Sequence, residues 1–190
     1  MSPGTNEEAE DRCATYERLA ALFDGAIDES VADRADAQSD YVRLFVTARN
    51  GVPAPLYASW YLDRTLCGPS LQWVESEYHA EGLAPALDAA EPADYLSCEL
   101  EYLYFLARHE RAALATDDVD ALLACRTAQL RFLDGHLRRW LPDFVRCARS
   151  AGPGPVYAKG LEQLERFVSE ERARLVSLCG DAGSRDTPPG

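Results

Sequence analysis

Apolar residues return every three or four positions along most of the chain, the spacing that lays them on one face of an α-helix. Cys13, Tyr16, Leu19, Ala20 and Phe23 set a first helix over Glu8 to Phe23, with Thr5 and Glu8 spaced as a capping box. The polar stretch from Asp24 to Ala37 reads as a connection with one short helical turn. A second helix over Gln38 to Ala48 turns Tyr41, Leu44, Phe45 and Ala48 inward. Gly51, Pro53 and Pro55 end it. The aromatic run YASWYL at Tyr57 to Leu62 follows, readable either as a plug in the core or as the wall of a binding groove.

Gly68, Pro69 and Ser70 open a further helix that faces inward through Leu71, Val74 and Tyr78 and stops at Gly82. Leu83 to Ala90 is a linker. From Asp94, placed to cap, the pattern stays helical to about Ala115 on a stripe of Leu96, Leu100, Leu103 and Ala107. Asp117 and Asp118 cap the next helix, whose predicted apolar face is Val119, Leu122, Leu123, Leu130 and Leu133, and which reaches His136. Pro142 begins a short helix through Phe144 and Val145. After Gly152-Pro153-Gly154-Pro155, Tyr157, Leu161, Leu164, Val168 and Leu175 define a last helix over Val156 to Leu178. The expected fold is all-α, a single compact bundle of six to eight helices over residues 1–179, with a small, polar, Pro-rich tail at 180–190 that is expected to be disordered.

Composition narrows the function classes. The chain has 190 residues, 47% hydrophobic and 27% charged, which is ordinary for one globular domain. Its formal charge of −13 repels nucleic acid and anionic membrane surfaces and favours a basic partner. The N-terminal MSPGTNEEAEDR has neither the basic nor the apolar region of a secretory signal, and no apolar run approaches the roughly 18 residues that span a bilayer, so the expected location is the cytoplasm. The cysteines at 13, 67, 98, 125, 147 and 179 are widely spaced with no C-x-x-C, and read as free thiols used as small apolar residues.

Catalytic signatures are missing. His79, His109 and His136 follow Ser76, Leu106 and Leu133 at three residues' distance, so no Glu-x-x-His metal pair exists. GPGPVYAKG around Lys159 lacks the Gly before and the Ser/Thr after the Lys that a phosphate-binding loop needs, and there is no G-x-S-x-G elbow. No metal, cofactor or catalytic residue is expected. What stands out is the segment Glu91 to Leu106, EPADYLSCELEYLYFL, where Glu91, Asp94, Glu99 and Glu101 crowd an apolar helix. A cap accounts for Asp94, and a solvated flank is the generic account of Glu99.

From about Tyr16 to Phe167 the chain resembles the TorD/DmsD-type maturation chaperones of molybdoenzymes. The blocks that carry the resemblance are PLYASWYLD (Pro55 to Asp63), EPADYLSCELEYL (Glu91 to Leu103) and HLRRWLPDF (His136 to Phe144), with DYVRLF (Asp40 to Phe45) as a weaker fourth. The resemblance implies a non-catalytic helical protein that binds the apo catalytic subunit of a molybdopterin oxidoreductase and its twin-arginine signal peptide, holding back export until the cofactor is inserted. It further implies a client site from Tyr57, Ser59, Tyr61, Asp63, Glu91, Pro92, Asp94, Glu99, His136 and Trp140, with Trp60 and Tyr95 beside them. On that reading Tyr57, Trp60 and Tyr61 wall a groove while Asp63, Asp94 and Glu99 face the arginines. Tyr95 stands where the family has His, and a phenol cannot become cationic near neutral pH. Two other readings are an assembly factor of the same fold that grips only the enzyme body, and a small helical enzyme or cofactor carrier. The implied assembly is a monomer or an exchange-prone dimer.

Overall fold

The computed structural model describes residues 6–27, 34–48, 51–84 and 91–183, with side chains to residue 180. Among these the protein is all-α: α1 (Asn6–Phe23), α2 (Arg34–Tyr41), α3 (Ala58–Leu62), α4 (Pro69–Ala80), α5 (Leu96–Ala115), α6 (Val119–Phe132), α7 (Arg138–Ser150) and α8 (Pro155–Gly183). Short π-helical turns extend α2 over Val42–Val46 and join α6 to α7 over Leu133–Leu137. No helix is long and apolar enough to cross a membrane among the described residues.

α5 is the central element. It buries Leu96, Leu100, Leu103, Leu106 and Ala107 against Tyr16, Leu19 and Phe23 of α1 and against Phe132, Trp140 and Phe144. Aromatic edges fill the far side, where Phe45 lies 5.2 Å from Tyr157 and 6.0 Å from Phe23.

The predicted helices form, with several shifts. α1 begins at Asn6, while Thr5 of the expected capping box lies outside the described residues. The second helix starts at Arg34 rather than Gln38, inside the stretch read as a connection, and Ala48 falls beyond its end. Residues 28–33 of that connection and 85–90 of the expected linker lie outside the described residues. Pro142 does not begin a helix. It sits inside α7, where Trp140, Leu141, Phe144 and Val145 are all buried, and that packing outweighs the roughly 3 kcal/mol an interior proline costs. α8 runs through Gly183, so the first residues of the predicted tail are helical and 184–190 lie outside the described residues.

α6 departs most from its pattern. Val119 is 72% and Leu123 42% exposed, and the buried residues are Arg126, Ala128, Gln129 and Phe132. The cause is Glu110 of α5, which is 1% exposed. Its carboxylate accepts from Arg12 (2.9 Å), Arg126 (2.8 Å), Gln129 (3.0 Å) and Arg174 (2.9 and 3.1 Å), joining α1, α5, α6 and α8. Glu171 takes a second contact from Arg12 at 3.4 Å and from Arg174 at 3.0 Å. Leaving a buried charge without its partner costs about 3–5 kcal/mol, whereas burying one Leu yields about 1.5–3 kcal/mol. α6 therefore turns its polar face inward.

Burial alone would raise the Glu110 carboxyl, but the hydrogen bonds and charges of Arg174, Arg12 and Arg126 outweigh it and hold it down to about 2. A depressed folded value stabilises above the ordinary carboxylate range and is lost as pH falls through the folded one. Thermal melts followed by circular dichroism should therefore fall between pH 4.5 and 2, more steeply in the wild type than in Glu110→Gln. At pH 7 that variant should be less stable by about 3–5 kcal/mol, since three guanidinium groups keep their charge without the carboxylate.

Candidate functional site

α3 has five residues, too few to hold a helix by its own hydrogen bonds. It is held from the segment before α5. The Leu96 N–H donates to the Leu56 carbonyl (2.8 Å) and the Ala58 N–H to the Asp94 carbonyl (2.9 Å), an antiparallel bridge centred on Tyr57 and Tyr95. The Asp94 carboxylate, fully buried, accepts the next free amide of α3 through Oδ2, from the Ser59 N–H at 2.9 Å. Asp94 thus caps α3, not α5 as its position in the sequence suggested. α5 has Tyr95 as its N-cap residue, with no side-chain cap hydrogen bond. Asp94 Oδ1 is buried without a hydrogen-bond partner among the described residues.

Asp63 does the same for α4. Its Oδ2 accepts from the Ser70 N–H (2.9 Å) and the Ser70 hydroxyl (2.6 Å), and it lies so close to Gly68 that a Cβ there would collide with it. The loop between the two helices is tied back where the Cys67 N–H donates to the Ser59 hydroxyl at 3.2 Å.

Glu99 is fully buried, so it is no solvated flank. Its Oε1 lies 2.6 Å from His136 Nε2, and its Oε2 accepts from Trp140 Nε1 at 3.2 Å. Trp73 stacks on the His136 ring at 5.2 Å, and Tyr61 stacks on Trp140 at 5.6 Å. Burial raises the Glu99 carboxyl, and the charge and hydrogen bond of His136 oppose it.

Above this layer the phenols form a second one. The Tyr57 hydroxyl donates to Glu91 at 2.7 Å, the Tyr57 and Tyr95 rings are 5.1 Å apart, and the Tyr95 hydroxyl meets that of Tyr41 at 2.8 Å. Burial, then the neighbouring phenol, pushes Tyr95 well above the ordinary tyrosine range, so it stays neutral.

Each residue that the sequence nominated therefore lies in one connected patch, from Glu91 and Pro92 through Tyr57, Tyr95, Asp94 and Ser59 to Tyr61, Trp140, Glu99 and His136, with Asp63 at the end of α3. Few of them face solvent. Trp60 is 46% exposed, and Leu66 in the loop after α3, which the sequence reading passed over, is 50% exposed. Also passed over were Trp73, which lies off the predicted face of Leu71, Val74 and Tyr78, Tyr41, whose spacing marks it only as core, and Ser70, whose place two residues after Gly68 is a helix-start signal. No group of His, Cys, Asp and Glu among the described residues is arranged to hold a metal ion.

Replacing Glu99 separates charge from hydrogen bonding. Glu99→Gln keeps an acceptor and removes a charge that is costly to bury, and is expected to change stability by less than about 1 kcal/mol at pH 7. Glu99→Ala orphans His136 and Trp140 and should cost about 2–4 kcal/mol in a urea titration. Because the folded carboxyl is raised, its contribution is present at low pH and fades as pH rises through the folded value. The wild type should therefore lose stability relative to Glu99→Gln as pH rises above about 4.5.

Comparison with known proteins bears on the whole patch. A family model described as nitrate reductase delta subunit matches residues 6–146. The chaperone protein TorD of Vibrio cholerae serotype O1 (strain O395) is 30% identical over 152 residues, 77% of this chain and 67% of that protein. The selenate reductase assembly chaperone protein of Thauera selenatis is 40% identical over 96 residues, 50% of this chain and 48% of that one. A solved structure of a redox enzyme maturation protein from Archaeoglobus fulgidus covers 88% of this chain and 92% of its own, at 21% identity and a TM-score of 0.48. Since the family match spans all of the patch and most of the bundle, the chain belongs to the nitrate reductase delta subunit family of TorD-type maturation chaperones.

Proposed function

We propose that this protein is a cytoplasmic, non-catalytic chaperone that binds the apo catalytic subunit of a molybdopterin oxidoreductase together with its twin-arginine signal peptide, and delays export until the cofactor is in place. Family membership and the names of its relatives support the chaperone role. The single observation that carries the client site is the construction around α3. An exposed indole, Trp60, follows Ser59, whose amide is held by the buried carboxylate of Asp94, and an exposed Leu66 precedes Cys67, whose amide donates to the Ser59 hydroxyl; one Asp94 oxygen has no donor among the described residues. A signal peptide offers both complements, guanidinium groups and an adjoining apolar segment.

Magnitudes divide the work. Burying an aliphatic or aromatic side chain contributes about 1.5–3 kcal/mol, an exposed ion pair about 0–1 kcal/mol. Affinity comes chiefly from Trp60 and Leu66. Glu91, half-buried at the rim, and the acidic field of the chain speed encounter and favour a basic partner.

A second reading has its own support. Asp63 and Glu99 are committed to Ser70 and to His136 and Trp140, which leaves few carboxylates for a pair of arginines. On this reading the surface grips the body of the apoenzyme and ignores the export signal.

Calorimetric titration with the twin-arginine signal peptide of a molybdopterin oxidoreductase from the same organism separates the two. Under the first reading Trp60→Ala and Leu66→Ser each weaken binding by about tenfold or more. Asp94→Asn, which keeps an acceptor for the Ser59 amide, weakens it further and flattens its salt dependence. Undiminished binding by Asp94→Asn removes the electrostatic part. Full binding of a catalytic subunit lacking its signal, with none of the isolated peptide, establishes the second reading.

A further inference from the structure

α6 is turned inside out. Arg126 and Gln129 point inward to Glu110, while Val119 and Leu123 point to solvent at 72% and 42% exposure. Asp120, Leu123, Ala124, Thr127 and Arg131 recur at helical spacing and are all exposed, so they form one outward stripe. An apolar face of a helix is ordinarily turned to a core or to a partner.

The face continues onto α8, which runs antiparallel to α6. Arg172 reaches Asp134 just beyond the end of α6, Arg174 meets Arg126 on the Glu110 carboxylate, and Cys179 lies within hydrogen-bonding reach of Thr127. Val176, 41% exposed, and the exposed Ala173 belong to this stretch of α8. Charge is kept to the ends. Between Asp120 and Arg131 the only charged residue of α6 is Arg126, and between Ala173 and Gly180 the only one of α8 is Arg174. Both are bonded to Glu110. Such a stretch is unusual in a chain of which 27% is charged.

We propose that the α6–α8 face is the contact of a two-fold dimer, with α6 of one copy packed antiparallel on α6 of a second. Charge selects the occupant. The middle of the face offers no carboxylate to a basic partner, whereas a two-fold contact sets a surface against itself, which uncharged residues do without repulsion. An axis through the middle of α6 brings Asp120 of each copy toward Arg131 of the partner subunit, because the two lie about three turns apart on the same stripe. Arg131 is 46% exposed and bonded to Glu77, and its guanidinium has donors to spare for a second carboxylate.

The extent of the face sets the strength of the contact. The 14 residues of α6 span about 21 Å, and two helices side by side are about 20 Å wide, a projected face of roughly 400 Å². Stable interfaces bury about 800 Å² on each partner, so this dimer is a weak one, with a dissociation constant on the order of micromolar. No element is exchanged between the copies, and they part on dilution.

Sedimentation velocity of the full chain from about 1 to 500 μM tests this. A rapidly reversible monomer–dimer equilibrium is expected. Leu123→Glu and Val176→Glu, each present twice in the contact, should weaken it by about tenfold or more, and Asp120→Arg should weaken it as well. The side chains at 123 and 176 are exposed in the single chain, so the melting temperature at 1 μM should match the wild type in both variants. Raising salt should tighten the dimer, since it screens the repulsion between two chains of formal charge −13. Trp60→Ala and Leu66→Ser, in the patch around α3, should leave it unchanged. A chain that stays monomeric at 500 μM overturns the proposal. So does a dimer that survives dilution, which reports exchange of elements, or one that Leu123→Glu and Val176→Glu leave intact. Loss of catalytic-subunit binding in Leu123→Glu by a chain that is monomeric throughout assigns the face to the client instead, and overturns it too.

Discussion

A carboxylate that has left water must be met by donors wherever it goes, and the bundle is organised around that requirement at Glu110. Three arginines and a glutamine from three other helices converge on it. Their convergence sets which face of α6 and which part of α8 meet α5, because turning either helix away would leave a buried charge without its partner. With α1, α6 and α8 tied to the C-terminal half of α5 in this way, α3 is held separately at the other end, by the Tyr57–Tyr95 bridge and the Asp94 carboxylate.

The same logic repeats at smaller scale in the patch around α3. Asp94 and Asp63 each satisfy amides at the start of a neighbouring helix, and Glu99 satisfies a histidine and an indole. Acidic residues that a sequence pattern assigns to a partner are here first of all ligands for the protein's own donors. These side chains serve the architecture first, and the most exposed apolar groups of the patch are Trp60 and Leu66, with Tyr57, Glu91 and Pro92 half-buried at its rim.

Much of this was legible in the residues. The stripe Leu96, Leu100, Leu103 and Ala107 lies where helical spacing puts it, and the turns at Gly68-Pro69 and Gly152 to Pro155 fall at real boundaries. The blocks at Pro55, Glu91 and His136 come together in space, which their shared resemblance implied and periodicity alone did not. What the residues concealed was direction. Asp94 precedes a helix and caps a different one, because the bridge between Tyr57 and Tyr95 is a tertiary contact. Glu99 adjoins an apolar stripe and is buried within it, because its partners His136 and Trp140 come from a distant segment. The predicted face of α6 held at Leu130, which packs on the core, and at the buried Leu133, and failed at Val119 and Leu123, which obey the same helical spacing but lie in solvent.

That face also separates two kinds of position along one helix. Val119 and Leu123 present hydrocarbon to solvent, while Arg126 and Gln129, polar and a turn away, are enclosed by the core. Hydropathy would rank the first pair as the ones under constraint and the second as free to drift. The physical cost runs the other way: a polar side chain at 119 or 123 stays in water and loses little, whereas an apolar one at 126 or 129 takes a donor from the buried Glu110 carboxylate.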